Sequence, residues 1–213
     1  MTSLDLTGRT AIITGASRGI GLAIAQQLAA AGAHVVLTAR RQEAADEAAA
    51  QVGDRALGVG AHAVDENAAR RCVDLTLERF GSVDILINNA GTNPAYGPLL
   101  EQDHARFAKI FDVNLWAPLM WTSLVVTAWM GEHGGAVVNT ASIGGMHQSP
   151  AMGMYNATKA ALIHVTIRPS AMVAANGSSW SFHSASASLV RTTPGQIAFT
   201  RMRGESSSAS CLV

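Results

Sequence analysis

Tyr155 and Lys159 stand four residues apart in the run Tyr155-Asn-Ala-Thr-Lys159, among residues mostly compatible with a helix. On a helix that spacing puts both side chains on one face within a turn of each other. A free tyrosine, with a pKa near 10, is a poor proton donor or acceptor at neutral pH. An ammonium held beside it stabilises the phenolate, so the phenol can serve as a general acid or base. Ser142 ends the apolar run Ala136–Ala141, where its hydroxyl could face a polarised carbonyl. Taken alone, the Tyr-x-x-x-Lys pair reads better as an ordinary exposed pair. The N-terminus changes the weighing.

There, the β-branched run Arg9–Thr14 leads directly into Gly15-Ala-Ser-Arg-Gly19-Ile-Gly21, followed by Leu22, Ile24, Ala25, Leu28 and Ala29 at helical spacing. Strand, glycine-rich turn and helix together lay a pyrophosphate against a helix N-terminus. The pattern is G-x-x-x-G-x-G. A second apolar strand, Ala33–Thr38, ends at Ala39-Arg40-Arg41. An NAD site would place an acid there for the ribose 2′-hydroxyl. Two arginines, with Arg18 in the loop itself, instead suit a 2′-phosphate, because the guanidinium fork matches phosphate oxygens. The expected cofactor is NADP(H).

The rest of the chain supplies the elements that must hold these residues. Gln42–Val52 reads as an alanine-rich helix, residues 56–64 as a weak third strand and Glu66–Phe80 as a helix. Val83–Ile87 is a buried strand running into Asn88-Asn-Ala-Gly91. His104–Met130 reads as a helix with a break near Pro118, and Ala136–Ala141 as the fifth strand. Alternation of this kind implies an α/β fold, a doubly wound Rossmann-like parallel sheet.

Composition sets further bounds. The 213 residues suit one domain, with 48% apolar and 14% charged residues and equal numbers of acids and bases. That neutrality argues against nucleic acid as a partner. Cys72 and Cys211 fit no metal-ligand spacing, and no metal is expected. The start, Met-Thr-Ser-Leu-Asp, has no signal pattern, so a cytoplasmic location is expected. Val113–Gly131 carries no charge and approaches the length of a bilayer span. Its Asn114, Pro118, Thr122, Ser123 and Thr127 favour a buried helix over a membrane segment.

Five motifs in order, Thr-Gly-Ala-Ser-Arg-Gly-Ile-Gly (14–21), Asn-Asn-Ala-Gly (88–91), Asn114, Ser142 and Tyr-Asn-Ala-Thr-Lys (155–159), resemble the short-chain dehydrogenase/reductase family over roughly Leu4–Thr166. Segments 93–98 and 142–145 look similar to carbonyl reductases and 3-oxoacyl-carrier-protein reductases. The resemblance implies a catalytic set of Asn114, Ser142, Tyr155 and Lys159. It implies cofactor contacts from Gly15, Ser17, Arg18, Gly19, Ile20, Gly21, Asn88, Ala90 and Gly91, beside Arg40, Arg41, Tyr155 and Lys159. The substrate would be a small carbonyl or alcohol compound, and the assembly a homodimer or homotetramer. One departure is local: His62-Ala63 replaces the family's Asp-Val pair near the adenine, with Asp65 close by.

The other departure is larger. After Thr166 the sequence becomes a Ser/Ala-rich stretch with Pro169 and no apolar period, so the sheet is expected to lack its last strands. Residues 1–166 are read as the dinucleotide-binding domain with the catalytic residues. Residues 167–213 are read as an aberrant tail, frameshifted or disordered. Only Thr193–Met202 resembles the family's Pro-Gly-x-Ile-x-Thr loop. Two readings of function follow: an NADP(H)-dependent oxidoreductase, or a catalytically impaired nucleotide-binding remnant without its substrate lid. A sheet ending at its fourth or fifth strand would expose an edge.

Overall fold

The computed structural model describes residues 5–147, 149–167, 181–183 and 198–203. Five strands, β1 (Thr10–Ile13), β2 (His34–Ala39), β3 (Ala56–Gly60), β4 (Ile85–Asn88) and β5 (Gly135–Asn139), form the parallel sheet. They alternate with α1 (Gly19–Ala30), α2 (Gln42–Val52), α3 (Glu66–Phe80) and the long α4 (His104–His133). Helix α5 (Gly153–Ile167) follows β5. The order across the sheet is β3-β2-β1-β4-β5, all parallel, so the chain winds outward from β1 in one direction and then from β4 in the other. The crevice of such a sheet opens at the reversal, beyond the carboxyl ends of β1 and β4.

Alternation along each strand decides which helices cover which face. Ile12, Val36, Leu86 and Val137 point to the side of α3 and α4, where they meet Ala69, Cys72, Val73, Trp121 and Val125. Their neighbours Ala11, Ile13, Val35, Leu37, Ile87 and Val138 point to the other side, against Ala25 and Ala29 of α1 and Ala48 of α2. Alanines on α1 and α2 let these helices lie close to the sheet. The first face is filled by larger groups. Trp121 is 1% exposed and its indole N–H donates to Ala63 O at 2.9 Å. A buried indole of this kind contributes roughly 3–5 kcal/mol.

Helix α4 is the one helix among the described residues long and apolar enough to cross a bilayer, and 56% of its apolar window is buried in the fold. It does not break at Pro118. The helix instead widens into a π turn at Asp112–Trp116 and again at Val126–Met130. Proline lacks an N–H and crowds the carbonyl four residues earlier, and a π turn relieves that conflict without ending the helix.

The parallel part of the sheet stops at β5, but the sheet continues. Strand β7 (Ala198–Arg203) pairs antiparallel with β5, and β6 (Ser181–His183) pairs antiparallel with β7. The backbone groups of β5 are therefore paired on both sides, where an open edge was expected. Ala198–Met202 is strand, not loop. Thr193–Ile197, Pro169 and the remainder of the expected aberrant tail lie outside the described residues.

Candidate active site and cofactor cleft

Strand β1 delivers Thr14 to the crevice, and the chain then turns at Gly15, whose φ of +63° favours glycine. A Cβ at Gly15 would also sit 2.9 Å from Ala90 Cα, so the loop after β1 and the loop after β4 are in backbone contact. Thr14 stitches them together. Its Oγ1 accepts from Asn89 N at 3.0 Å and Ala90 N at 3.1 Å. Asn89 Nδ2 donates back to Thr14 O at 3.0 Å and Gly15 O at 3.1 Å.

A cleft of about 980 Å³ opens above these loops, lined by Gly15, Ser17, Arg18, Gly19, Ala90 and Gly91 and by Arg40 and Arg41 at the end of β2. His62, Ala63, Glu47, Lys109 and Val113 complete its walls. Helix α1 begins at its floor with no side-chain cap from Arg18 and no acid in the first turn. The N–H groups of that turn therefore face the cleft without a partner from the cap, as an anion site requires. Four basic side chains against the single acid Glu47 make the lining cationic in a chain of zero net charge. Among the described residues, Arg18, Arg40 and Arg41 take part in no ion pair. These features fit a dinucleotide carrying an additional phosphate.

At the inner end of the cleft stands Gly91. A Cβ there would lie 3.6 Å from Asn114 Oδ1 and 3.8 Å from Lys159 Nζ, so a bare residue leaves that corner open. Lys159 is 4% exposed, and its ammonium donates to Thr140 O at 2.7 Å. It lies 5.8 Å from the ring centroid of Tyr155, one turn earlier on α5. Burial lowers the Lys159 pKa to about 8, because a desolvated ammonium is costly. Asn114 is fully buried within the π turn. Its Oδ1 accepts from Thr92 N at 2.8 Å, and its Nδ2 donates to Thr92 O at 2.9 Å and Thr158 Oγ1 at 3.2 Å. The residue four places on is Pro118, so the Asn114 carbonyl lacks the usual helical donor. Ser142 follows β5 in extended conformation and caps the short turn Ile143–Gly145 by accepting from Gly144 N at 3.1 Å. That turn lies on α5, since a Cβ at Gly145 would be 2.8 Å from Lys159 C.

The site is thus a loop cradle at the sheet reversal, next to a Ser-Tyr-Lys-Asn group on two helices and a strand end. The sequence profile of the short chain dehydrogenase family matches residues 9–207. The chain belongs to the short-chain dehydrogenase family of oxidoreductases. It is 38% identical over 163 residues to Dehydrogenase/reductase SDR family member 4 of Caenorhabditis elegans, covering 75% of this chain and 63% of that one. The human protein of the same name is 35% identical over 170 residues, covering 78% and 61%. Sorbitol dehydrogenase of Cereibacter sphaeroides is 37% identical over 164 residues, covering 76% and 64%. The chain thus spans less than two thirds of the length of these relatives. Their aligned lengths are close to the extent expected from the motifs, whereas the family match runs on past Thr166 to residue 207.

Some residues expected at the cofactor site of this short-chain dehydrogenase do not line the cleft. Asn88 does not line the cleft. As the last residue of β4 it shares the face of Leu86, and its Nδ2 donates to Asn139 Oδ1 at 2.9 Å and Thr122 Oγ1 at 3.2 Å. Asn89 lines the cleft in its place. Ile20 and Gly21 lie in the first turn of α1, whose N–H groups face the cleft, Ile20 with an exposed side chain and Gly21 packed under the loop. Asp65 caps α3 by accepting from Ala68 N at 2.9 Å, and His62 and Ala63 form the wall where the family's acid would stand. Lys109 and Thr14 were not foreseen. Thr14 carried a usable signal, a hydroxyl at the last position of an apolar strand entering a glycine turn.

Proposed function

We propose that this chain is an NADP(H)-dependent oxidoreductase acting on a carbonyl/alcohol pair, with ketones, aldehydes or 3-oxoacyl thioesters as substrates. The observation that carries the proposal is the buried Lys159 ammonium near Tyr155 and next to Gly91, which lines a cleft walled by Arg18, Arg40 and Arg41. When bound, the nicotinamide supplies or accepts the hydride. The chain does the rest. The α1 N-terminus and glycine loop hold the pyrophosphate, and the three guanidinium groups favour a 2′-phosphate.

Ser142 Oγ donates to the substrate carbonyl oxygen and orients it. Tyr155 gives its phenolic proton to that oxygen in reduction and takes it back in oxidation. The Lys159 charge favours the phenolate left behind. Both ends of the Asn114 side chain are committed to Thr92 and Thr158, so the group left to hold a relay water is its main-chain carbonyl, opposite Pro118. Exposed Tyr96, Leu99, Ile143 and Met146 come from the two loops flanking Ser142 and Tyr155, which favours carbonyl compounds with apolar substituents. The name of the Cereibacter relative, sorbitol dehydrogenase, adds polyols to the substrates to be tried.

The test is a fluorescence titration with NADPH and NADH, followed by a turnover screen over ketones, aldehydes, 3-oxoacyl thioesters and polyols. Preferred NADPH binding with turnover is expected. NADPH binding without turnover on any class would favour the remnant reading, and absence of binding would contradict both.

A further inference from the structure

The geometry points to a ring of four elements, closed by hydrogen bonds between asparagine and threonine side chains, that positions Lys159 and Asn114, with Asn88, Asn139, Thr122, Thr158 and Thr166 as positioning residues. This rests on the reading of Lys159 and Asn114 as parts of the catalytic group. Its motif occurs three times. Asn88 Nδ2 donates to Thr122 Oγ1 at 3.2 Å, and that hydroxyl donates to Pro118 O at 2.6 Å. Asn114 Nδ2 donates to Thr158 Oγ1 at 3.2 Å, which donates to Tyr155 O at 2.7 Å. Asn139 Nδ2 donates to Thr166 Oγ1 at 2.8 Å, which donates to Leu162 O at 2.6 Å. In each case an amide N–H donates to a threonine hydroxyl, which in turn donates to a carbonyl in its own helix. Asn88 and Asn139, paired in register on β4 and β5, close the ring at 2.9 Å.

The ring joins four elements in turn: β4 to α4, α4 to α5, α5 to β5, and β5 back to β4. On each helix the two ring positions are eight residues apart, Asn114 and Thr122 on α4, Thr158 and Thr166 on α5. Eight residues rise about 12 Å, so each helix is held at two separated points and cannot pivot about one. Asn88, Asn114, Thr122 and Thr158 are all buried, where a broken hydrogen bond leaves an unpaired group and is costly. The ring also touches the chemistry in sequence. Thr158 precedes Lys159, and Asn139 precedes Thr140, whose carbonyl receives the Lys159 ammonium. Asn114 in turn clamps both backbone groups of Thr92, just past Gly91. A change at Thr166 can therefore reach the cofactor loop through the ring.

The test is amide hydrogen exchange on Thr166→Val and Thr166→Ser, read at Thr92 with Val36 of β2 as the internal control. The valine keeps the shape and removes the hydroxyl. About tenfold faster exchange at Thr92 is expected in Thr166→Val, with Val36 unchanged and protection restored in Thr166→Ser. Turnover should fall similarly while NADPH affinity is retained. The double variant Thr166→Val/Thr122→Val should show less than the product of the single effects, since a ring already open has little left to lose. Unchanged exchange at Thr92, or equal acceleration at Thr92 and Val36, would overturn the proposal. Exchange is read without substrate, so a chain lacking turnover still tests the ring, and a failed ring leaves the catalytic reading standing.

Discussion

The two halves of the molecule are built from different materials. Around β1, β2 and β3, the buried polar side chains are threonines, Thr10, Thr14, Thr38 and Thr76, and contact between elements is made by alanine and glycine. Around β4, β5, α4 and α5, the interior holds Asn88, Asn114, Thr122, Thr158 and Lys159, joined by side-chain hydrogen bonds. The first half presents backbone to a ligand and needs little more than close approach. The second half must hold an ammonium and a phenol at fixed separation, and directional bonds do that better than apolar contact.

Changes in the two halves should therefore fail differently. Lys159→Met should lower turnover by at least about 10²-fold while raising stability near neutral pH. The folded pKa, about 8, lies below the ordinary lysine value of 10.5. The buried ammonium thus opposes folding below pH 8, and that cost is relieved as pH rises from about 8 toward 10.5. It amounts to roughly 3 kcal/mol at pH 7, part of which the lost bond to Thr140 takes back. Thermal melts at pH 7 and pH 10 should show the methionine variant ahead at the lower pH, with its lead shrinking at the higher. A lower melting temperature at pH 7 would contradict the assignment. In the unaltered chain, reductive turnover should decline above about pH 8, as Lys159 loses its charge.

Gly21→Ala should have the opposite signature in the first half. Its Cβ would lie 2.6 Å from Asn89 Nδ2 and 2.8 Å from Ala16 Cα, so backbone must shift. A loss of about 1–3 kcal/mol in stability is expected, with cofactor affinity reduced more than the rate at saturating cofactor. Denaturant melts and NADPH titration would check both. The smallest effect should come from Arg40→Asp, at the exposed mouth. It should weaken NADPH by about tenfold and NADH scarcely at all. Equal losses for both cofactors would remove Arg40 from recognition of the 2′-phosphate.

The first half was the more legible in sequence, because its devices are local. An apolar run entering Gly15-x-x-x-Gly19-x-Gly21 specifies strand, turn and helix within a dozen residues, and the four-residue spacing of Tyr155 and Lys159 likewise needs only one helix. What the sequence does not show depends on distant partners. Asn88 belongs to the face of Leu86, and only the packing of α4 over that face shows its amide turned away from the cleft. Pro118 signalled a break, but the conflict was absorbed by a π turn. The run Asp65-Glu-Asn-Ala carries an N-cap signal, and Asp65 accepts from Ala68 N. Strand β7 was missed because Ala198–Arg203 has a weak apolar pattern, and its pairing is set by the backbone of β5 some sixty residues earlier.

The most direct test of the central claim follows the isotope. With NADPH carrying deuterium at the transferable C4 position and an apolar ketone, the unaltered chain should place deuterium on the carbinol carbon of the product alcohol, read by mass spectrometry. Tyr155→Phe keeps the ring and removes the proton donor, so it should bind NADPH normally and form labelled alcohol at least about 10²-fold more slowly. Labelled alcohol formed at the same rate by both would show that Tyr155 is not the acid, and the reading of the Tyr155–Lys159 pair would fall with it.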